Sequence, residues 1–151
     1  MKIVLNKCFG GFGLSHKAEL HLYELKGINV YAYLSVRMGD VFSFERVDKS
    51  YNPKLKVWED IWYLEKELPK LEFHINEDWE CIKQIELISD MRDSKNRIDP
   101  DLIATVELLG DASNAAYANL KIVEIPDESN FIIKEYDGME TAVYGFDLGE
   151  V

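Results

Sequence analysis

The chain has 151 residues, of which 28 are Asp or Glu and 17 are Lys or Arg, so its formal net charge at pH 7 is −11. It is 47% hydrophobic, which excludes a disordered chain because that many apolar side chains can offset the entropy lost on ordering. The acidic surplus excludes a general nucleic-acid-binding protein, since phosphate neutralisation needs surplus Lys and Arg. No apolar run reaches the roughly 20 residues of a membrane span. The length predicts a single globular domain over residues 1–151.

The amino-terminal part is predicted to form a strand, a glycine loop and a helix. Residues 2–5 are an apolar, β-branched run typical of a buried strand. Three glycines within positions 10–13 require a sharp turn or a close backbone approach. Ser15 is a good N-cap for an amphipathic helix over about 15–26, and Gly27 is its expected stop.

The central part of the chain predicts strands more clearly than helices. Residues 28–36 are rich in strand-forming side chains, and residues 41–47 alternate like a half-buried strand. The segment 48–96 is ambiguous, because its apolar spacing fits either kind of element. Within it we interpret 61–64 as a strand and 80–91 as a short helix.

A second helix is predicted over about 100–109. Asp99 is a natural N-cap, Pro100 suits the first helical position, and Gly110 follows the last apolar position of the pattern.

Three strands are predicted in the closing part of the chain. They cover 120–125, 130–136 and 140–144, and Asp137-Gly138 is a hairpin signal between the last two. Together these elements predict an α+β fold, a single domain with a mixed or antiparallel sheet and two main helices.

The negative charge is concentrated at one end of the chain. Residues 1–98 carry 16 acidic and 15 basic side chains, whereas residues 99–151 carry 12 acidic side chains against Lys121 and Lys134. A solvated acidic surface that keeps the protein in solution is one interpretation, and a binding surface for a basic partner is the other. The candidate partner-binding residues are Asp111, Glu124, Asp127, Glu128, Glu135, Asp137 and Glu140.

The glycine loop is the best candidate for a small-molecule site. Backbone N–H groups at a helix start favour an anion such as a nucleotide phosphate. The candidate ligand-binding residues are Lys7, Gly10, Gly11, Gly13, Ser15 and Arg97. The loop matches neither the dinucleotide fingerprint nor a P-loop, and the alternative is that its glycines only permit a tight reversal, with Phe9 and Phe12 packed as plugs.

No catalytic residue, metal ligand or cofactor is predicted. The sequence has no GxSxG or HExxH motif, and His16 and His21 are five positions apart, so they do not share a helix face. Cys8 and Cys81 form no CxxC pair, which indicates reduced thiols in a cytoplasmic protein.

Several stretches together resemble a family of small proteins encoded by tailed bacteriophages and prophages. The opening KIVLNKCFGGFGLS resembles the family's amino-terminal part, and the closing half resembles it through RIDPDLI, VELLG, LKIVEIPD and EYDG. The resemblance implies a phage protein that acts in the host bacterial cytoplasm. Small non-virion phage proteins commonly bind and redirect host machinery, including defence systems.

Two functions follow as hypotheses. The first is a non-enzymatic protein that binds and inhibits or redirects a host bacterial protein with a basic surface, through its acidic residues, with no direct binding to nucleic acid or membrane. The alternative is a small-ligand or nucleotide-binding protein, a sponge that uses the glycine loop. A hydrolase or transferase is a third and weaker interpretation, because no acid–base pair stands out.

Overall fold

The computed structural model describes residues 1–53, 60–88 and 91–145. They belong to two compact units. The first unit consists of Met1–Lys26 and the described part of Asp90–Val151, and the second of the described part of Gly27–Ser89. The single-domain prediction for residues 1–151 stays a prediction. No helix in the described ranges has the length and apolar character needed to cross a lipid bilayer.

The predicted α+β class is confirmed, with two main helices of ten residues each. All strand pairs of the described residues are antiparallel. In chain order the elements are β1 (Lys2–Asn6), α1 (His16–Leu25), β2 (Tyr31–Met38), β3 (Val41–Val47), β4 (Asp60–Leu64), β5 (Glu72–His74), α2 (Trp79–Lys83), α3 (Pro100–Leu109), β6 (Leu120–Glu124), β7 (Phe131–Tyr136) and β8 (Met139–Tyr144). Short 3-10 helices cover Ser94–Ile98 and Gly110–Ser113.

The first unit contains two two-stranded sheets. Strand β1 pairs with β6, and β7 pairs with β8 across the predicted hairpin turn at Asp137-Gly138. Four consecutive residues of β1 are buried, as its continuous apolar run predicts. Ile3 and Leu5 pack with Ile125, and side chains of both β7 and β8 cover this cluster.

The predicted helix caps of this unit are confirmed. The hydroxyl of Ser15 accepts a hydrogen bond from the Ala18 amide at 3.1 Å, and Gly27 follows the helix end with φ +70°. The carboxylate of Asp99 accepts a hydrogen bond from the Asp101 amide at 2.8 Å, which begins α3. Gly110 ends that helix with φ +54°.

The second unit is built on a four-stranded sheet in the order β4-β2-β3-β5. Five buried side chains form its core, and residues of α2 and the following turn pack against them: Tyr33, Phe44, Leu64, Leu68 and Phe73. The strand predicted at 61–64 is confirmed as β4.

Two predicted boundaries in the second unit need correction. The helix predicted over 80–91 is only five residues long, because Leu87 forms a β-bridge with Leu64 and so draws the chain into extended pairing; residues 89–90 lie outside the described ranges. The strand predicted to start at residue 28 starts at Tyr31, where pairing with β4 begins.

The ends of α1 and α3 are joined by an ion pair. The ammonium of Lys26 lies 2.5 Å from Asp99 Oδ2 and 3.2 Å from Asp101 Oδ2. Burial works to raise the pKa of Asp99, but the hydrogen bonds from Lys26 and from the Asp101 amide outweigh it, and the net pKa is lowered. Burial likewise works to lower the pKa of Lys26, and the two carboxylates more than offset it, so that pKa is raised.

We expect Lys26→Met to lower the free energy of unfolding by about 1 kcal/mol at neutral pH. An acid with a lowered folded pKa contributes stability above its unfolded value, near 3.9, and loses that contribution as the pH falls through the folded value. The difference between Lys26→Met and the unaltered protein should therefore shrink in acid, as urea unfolding between neutral pH and about pH 2 would show. Lys17→Met, at an exposed position of α1, is the matched control. A difference that persists undiminished in acid would contradict this account.

Candidate functional site

A buried ion pair between Arg97 and Glu140 lies at the centre of the first unit. Arg97 Nη1 is 2.6 Å from Glu140 Oε1, and Nη2 is 2.8 Å from Oε2, so the contact is bidentate. The two residues are 2% and 5% exposed. Bidentate pairing of a guanidinium with a carboxylate is the strong form of charge-assisted hydrogen bond.

The remaining donors of Arg97 are also used. Its three other N–H groups donate to backbone carbonyls at 2.9 to 3.3 Å, those of Met91, Val4 and Arg92. The guanidinium carbon lies 3.7 Å from the centre of the Phe12 ring, a cation–π contact. Because a guanidinium has five N–H donors, Arg97 is fully engaged by protein atoms.

Asn6 links this ion pair to the hairpin turn. Its backbone amide donates to Glu140 Oε1 at 2.7 Å. Its side-chain amide donates to the carbonyls of Gly138 at 2.7 Å and Cys8 at 2.9 Å, and its side-chain oxygen accepts from the Asn119 amide at 2.8 Å. Asn6 is completely buried, and these bonds satisfy its polar atoms, as burial requires.

The glycine loop is packed against the turn between β7 and β8. The Gly10 amide donates to the Asp137 carbonyl at 3.1 Å. A Cβ on Gly138 would lie 2.3 Å from the Gly11 nitrogen, and one on Gly10 would lie 2.3 Å from the Tyr117 carbonyl oxygen. The glycines are thus required by close backbone contact. We call this contact between the loop and the turn the clasp.

The structure separates the predicted ligand-binding residues into two groups. Lys7 donates to the Glu140 carbonyl at 2.6 Å and so lies with Gly10, Gly11 and Arg97 around the clasp. Ser15 donates instead to the Ala112 carbonyl at 2.6 Å. Gly13 likewise faces the segment 112–115, where an added Cβ would lie 2.9 Å from Ala115 Cβ. The charged and hydroxyl side chains of this set all bond protein atoms, and ligand binding there stays a prediction.

The predicted partner-binding residues divide by burial. Six are exposed, but Glu140 is buried, and its place on the predicted acidic surface is corrected. Asp127 lies 2.6 Å from the Met1 amino group. Within the described ranges the other five carboxylates make no ion pair or hydrogen bond; we call them the acidic set: Asp111, Glu124, Glu128, Glu135 and Asp137.

Sequence reasoning missed an exposed aromatic pair beside the clasp. Phe9 is 60% exposed and Tyr136 is 80% exposed, and their ring centres are 6.4 Å apart with an edge-to-face geometry. Phe9 is therefore not the predicted plug, whereas Phe12 does pack inward, against Arg97. The pair borders a shallow groove of about 340 Å³, which we call the aromatic groove; it is lined by Phe9, Lys134, Glu135, Tyr136, Met139 and Thr141. The outward register of alternate hairpin residues is the one sequence signal that points to it.

The part of the chain that the structure describes contains no group of three or more His, Cys, Asp or Glu side chains placed to hold a metal ion.

Glu140→Gln should lower the free energy of unfolding by about 3 kcal/mol, because it leaves the buried charge of Arg97 unpaired. Glu135 lies directly opposite on β7 and is exposed, so Glu135→Gln is the matched control, with an expected change within about 0.5 kcal/mol. Urea unfolding measures both. Equal, small effects of the two substitutions would show that the ion pair does not hold the fold.

Gly138→Ala tests the clasp. The residue has φ +89°, and its added Cβ would overlap the loop backbone, so we expect a loss of about 2–4 kcal/mol in unfolding free energy. Gly39 occupies the other tight hairpin turn at φ +60° with no atom within 4 Å of an added Cβ. Gly39→Ala should therefore cost only about 1 kcal/mol of backbone strain. Equal losses in thermal or urea unfolding would contradict close packing at the clasp.

Comparison with known proteins gives one partial similarity. The chain is 41% identical over 58 residues to a component of the A-type ATP synthase of Methanococcus aeolicus, one of that enzyme's subunits. The match covers 37% of this chain, and the chain spans 59% of that relative's length. No protein-family model matches the chain, and no solved structure matches it.

Proposed function

We propose that the protein is a non-enzymatic binding protein that recognises a basic surface on a partner protein. The observation that carries the proposal is the acidic set, whose five exposed carboxylates have no cationic partner within the described residues. Other carboxylates of the first unit are paired: Asp99 and Asp101 with Lys26, Glu107 with Lys2, and Glu140 with Arg97. The acidic set therefore dominates the external field and attracts basic proteins.

The buried charges of the first unit support a binding role over a catalytic one. Arg97 and Glu140 are committed to each other, and the ammonium of Lys7 is committed to a backbone carbonyl. A nucleotide site at the glycine loop is disfavoured for the same reason, because a phosphate would have to displace these contacts and that of the Gly10 amide.

The resemblance to phage-encoded proteins supports a host bacterial protein as the partner. In this proposal, the protein acts in the bacterial cytoplasm and inhibits or redirects a host factor, a defence component among the candidates. The name of the archaeal relative describes one component of an ATP synthase. Such a component works in contact with other chains, and the partial similarity to one is consistent with a role in protein contacts.

The test is capture from a bacterial lysate with the immobilised full chain. Neutralising the acidic set (Asp111→Asn, Glu124→Gln, Glu128→Gln, Glu135→Gln, Asp137→Asn) should reduce recovery of the captured partner about tenfold, and so should raising the salt from about 0.05 M to about 0.5 M. The matched control neutralises five exposed carboxylates of the second unit: Asp40, Glu45, Glu65, Glu77 and Glu86. A partner recovered equally by all three proteins and at both salt concentrations would refute the proposal.

A further inference from the structure

We infer that the partner docks at the aromatic groove and presents an extended, arginine-bearing segment to it. This inference rests on the proposed function and locates the site of contact within it. Phe9 and Tyr136 expose more than half of their surface, although each ring would gain by burial. Exposed aromatic rings beside a groove are typical of binding surfaces.

The shape of the groove suits individual side chains. Its volume of about 340 Å³ is at the small end of the range for ligand sites. Phe9, Tyr136 and Met139 supply its apolar walls. A groove of this size accepts one or two long side chains from a partner.

The charges at the groove favour a cationic side chain. Glu135 lines it and Asp137 follows Tyr136 in the turn, and neither carboxylate has a partner among the described residues. Lys134 is the one cation among the lining residues. A guanidinium can stack on an aromatic ring and pair with a carboxylate at once, which an ammonium does less well.

The chain itself contains this combination twice. Arg97 stacks on Phe12 at 3.7 Å while it pairs with Glu140. Arg46 lies 4.6 Å from the centre of the Tyr31 ring and 3.8 Å from Glu67. At the aromatic groove the rings and the carboxylates are present and the arginine is absent, so the partner would supply it.

The backbone around the groove favours an extended segment. Strand β7 pairs only with β8 among the described residues, so its other edge carries backbone groups without a strand partner. Such an edge binds extended segments by strand addition. The clasp holds Phe9 and Tyr136 in place beforehand, through the bond from Gly10 to Asp137, and this reduces the entropy lost on binding.

Fluorescence anisotropy with a labelled twelve-residue peptide of alternating Arg and Ser tests the inference on the full chain. Phe9→Ala and Tyr136→Ala should each weaken binding about tenfold. Tyr136→Leu, which keeps apolar area and loses the ring, should weaken it by a similar factor. Trp79→Ala is the matched control, because Trp79 is 52% exposed in the second unit. A peptide with citrulline in place of arginine, equal in shape and uncharged, should bind at least about tenfold more weakly.

The outcomes separate this inference from the proposed function. If neutralising the acidic set weakens peptide binding while the Phe9 and Tyr136 variants bind like the unaltered protein, the groove is not the site and the inference is overturned. A peptide that does not bind, or that binds as well with citrulline, overturns it too. A dimer in gel filtration that Tyr136→Ala dissociates would assign the groove to a second copy and overturn it. In all three cases, the lysate experiment decides the proposed function independently.

Discussion

The ion pair between Arg97 and Glu140 is the contact on which the first unit depends. Removing two charges from water costs several kcal/mol per ion, and only excellent geometry and further hydrogen bonds offset that cost. Both conditions are met here, since the pair is bidentate, every guanidinium donor is used, and the Asn6 amide also bonds Glu140. The pair joins the 3-10 helix before α3, strand β1 and strand β8, which are far apart in the sequence.

From this centre the contacts extend to the surface. Asn6 holds the carbonyl of Gly138, the turn at Gly138 packs on the glycine loop, and the loop presents Phe9 beside Tyr136. The glycines that suggested a phosphate site thus serve a close backbone approach instead. Its consequence is a fixed aromatic pair next to carboxylates without partners, and that combination connects the fold to the proposed binding of a basic protein.

Local chemistry made much of the fold predictable. The caps at Ser15 and Asp99, the stop at Gly110 and the hairpin turn at Asp137-Gly138 each depend on a few adjacent residues, and each is confirmed. The length of α2 was predicted less well, because the bridge from Leu87 to Leu64 is a tertiary contact that periodicity does not encode.

The site was less predictable because it depends on long-range pairing. Arg97 and Glu140 are 43 positions apart, and by sequence Glu140 looks like any other carboxylate of an acidic region. Likewise, Phe9 and Phe12 are equivalent by composition, and only the position of Arg97 shows which ring faces inward. Local patterns identified the glycine loop and the acidic residues as important, but contacts with residues more than 100 positions away decide what they do.

Amide hydrogen exchange of Asn6 and Gly10 tests the clasp most directly. Asn6 donates to a buried carboxylate and Gly10 to the carbonyl of Asp137, so both amides should exchange slowly, with protection that approaches that of the neighbouring β1 amides. Both should lose that protection together in Glu140→Gln under conditions where β1 remains folded. Exchange of Gly10 and Asn6 at unprotected rates in the unaltered protein, while β1 stays protected, would contradict the account.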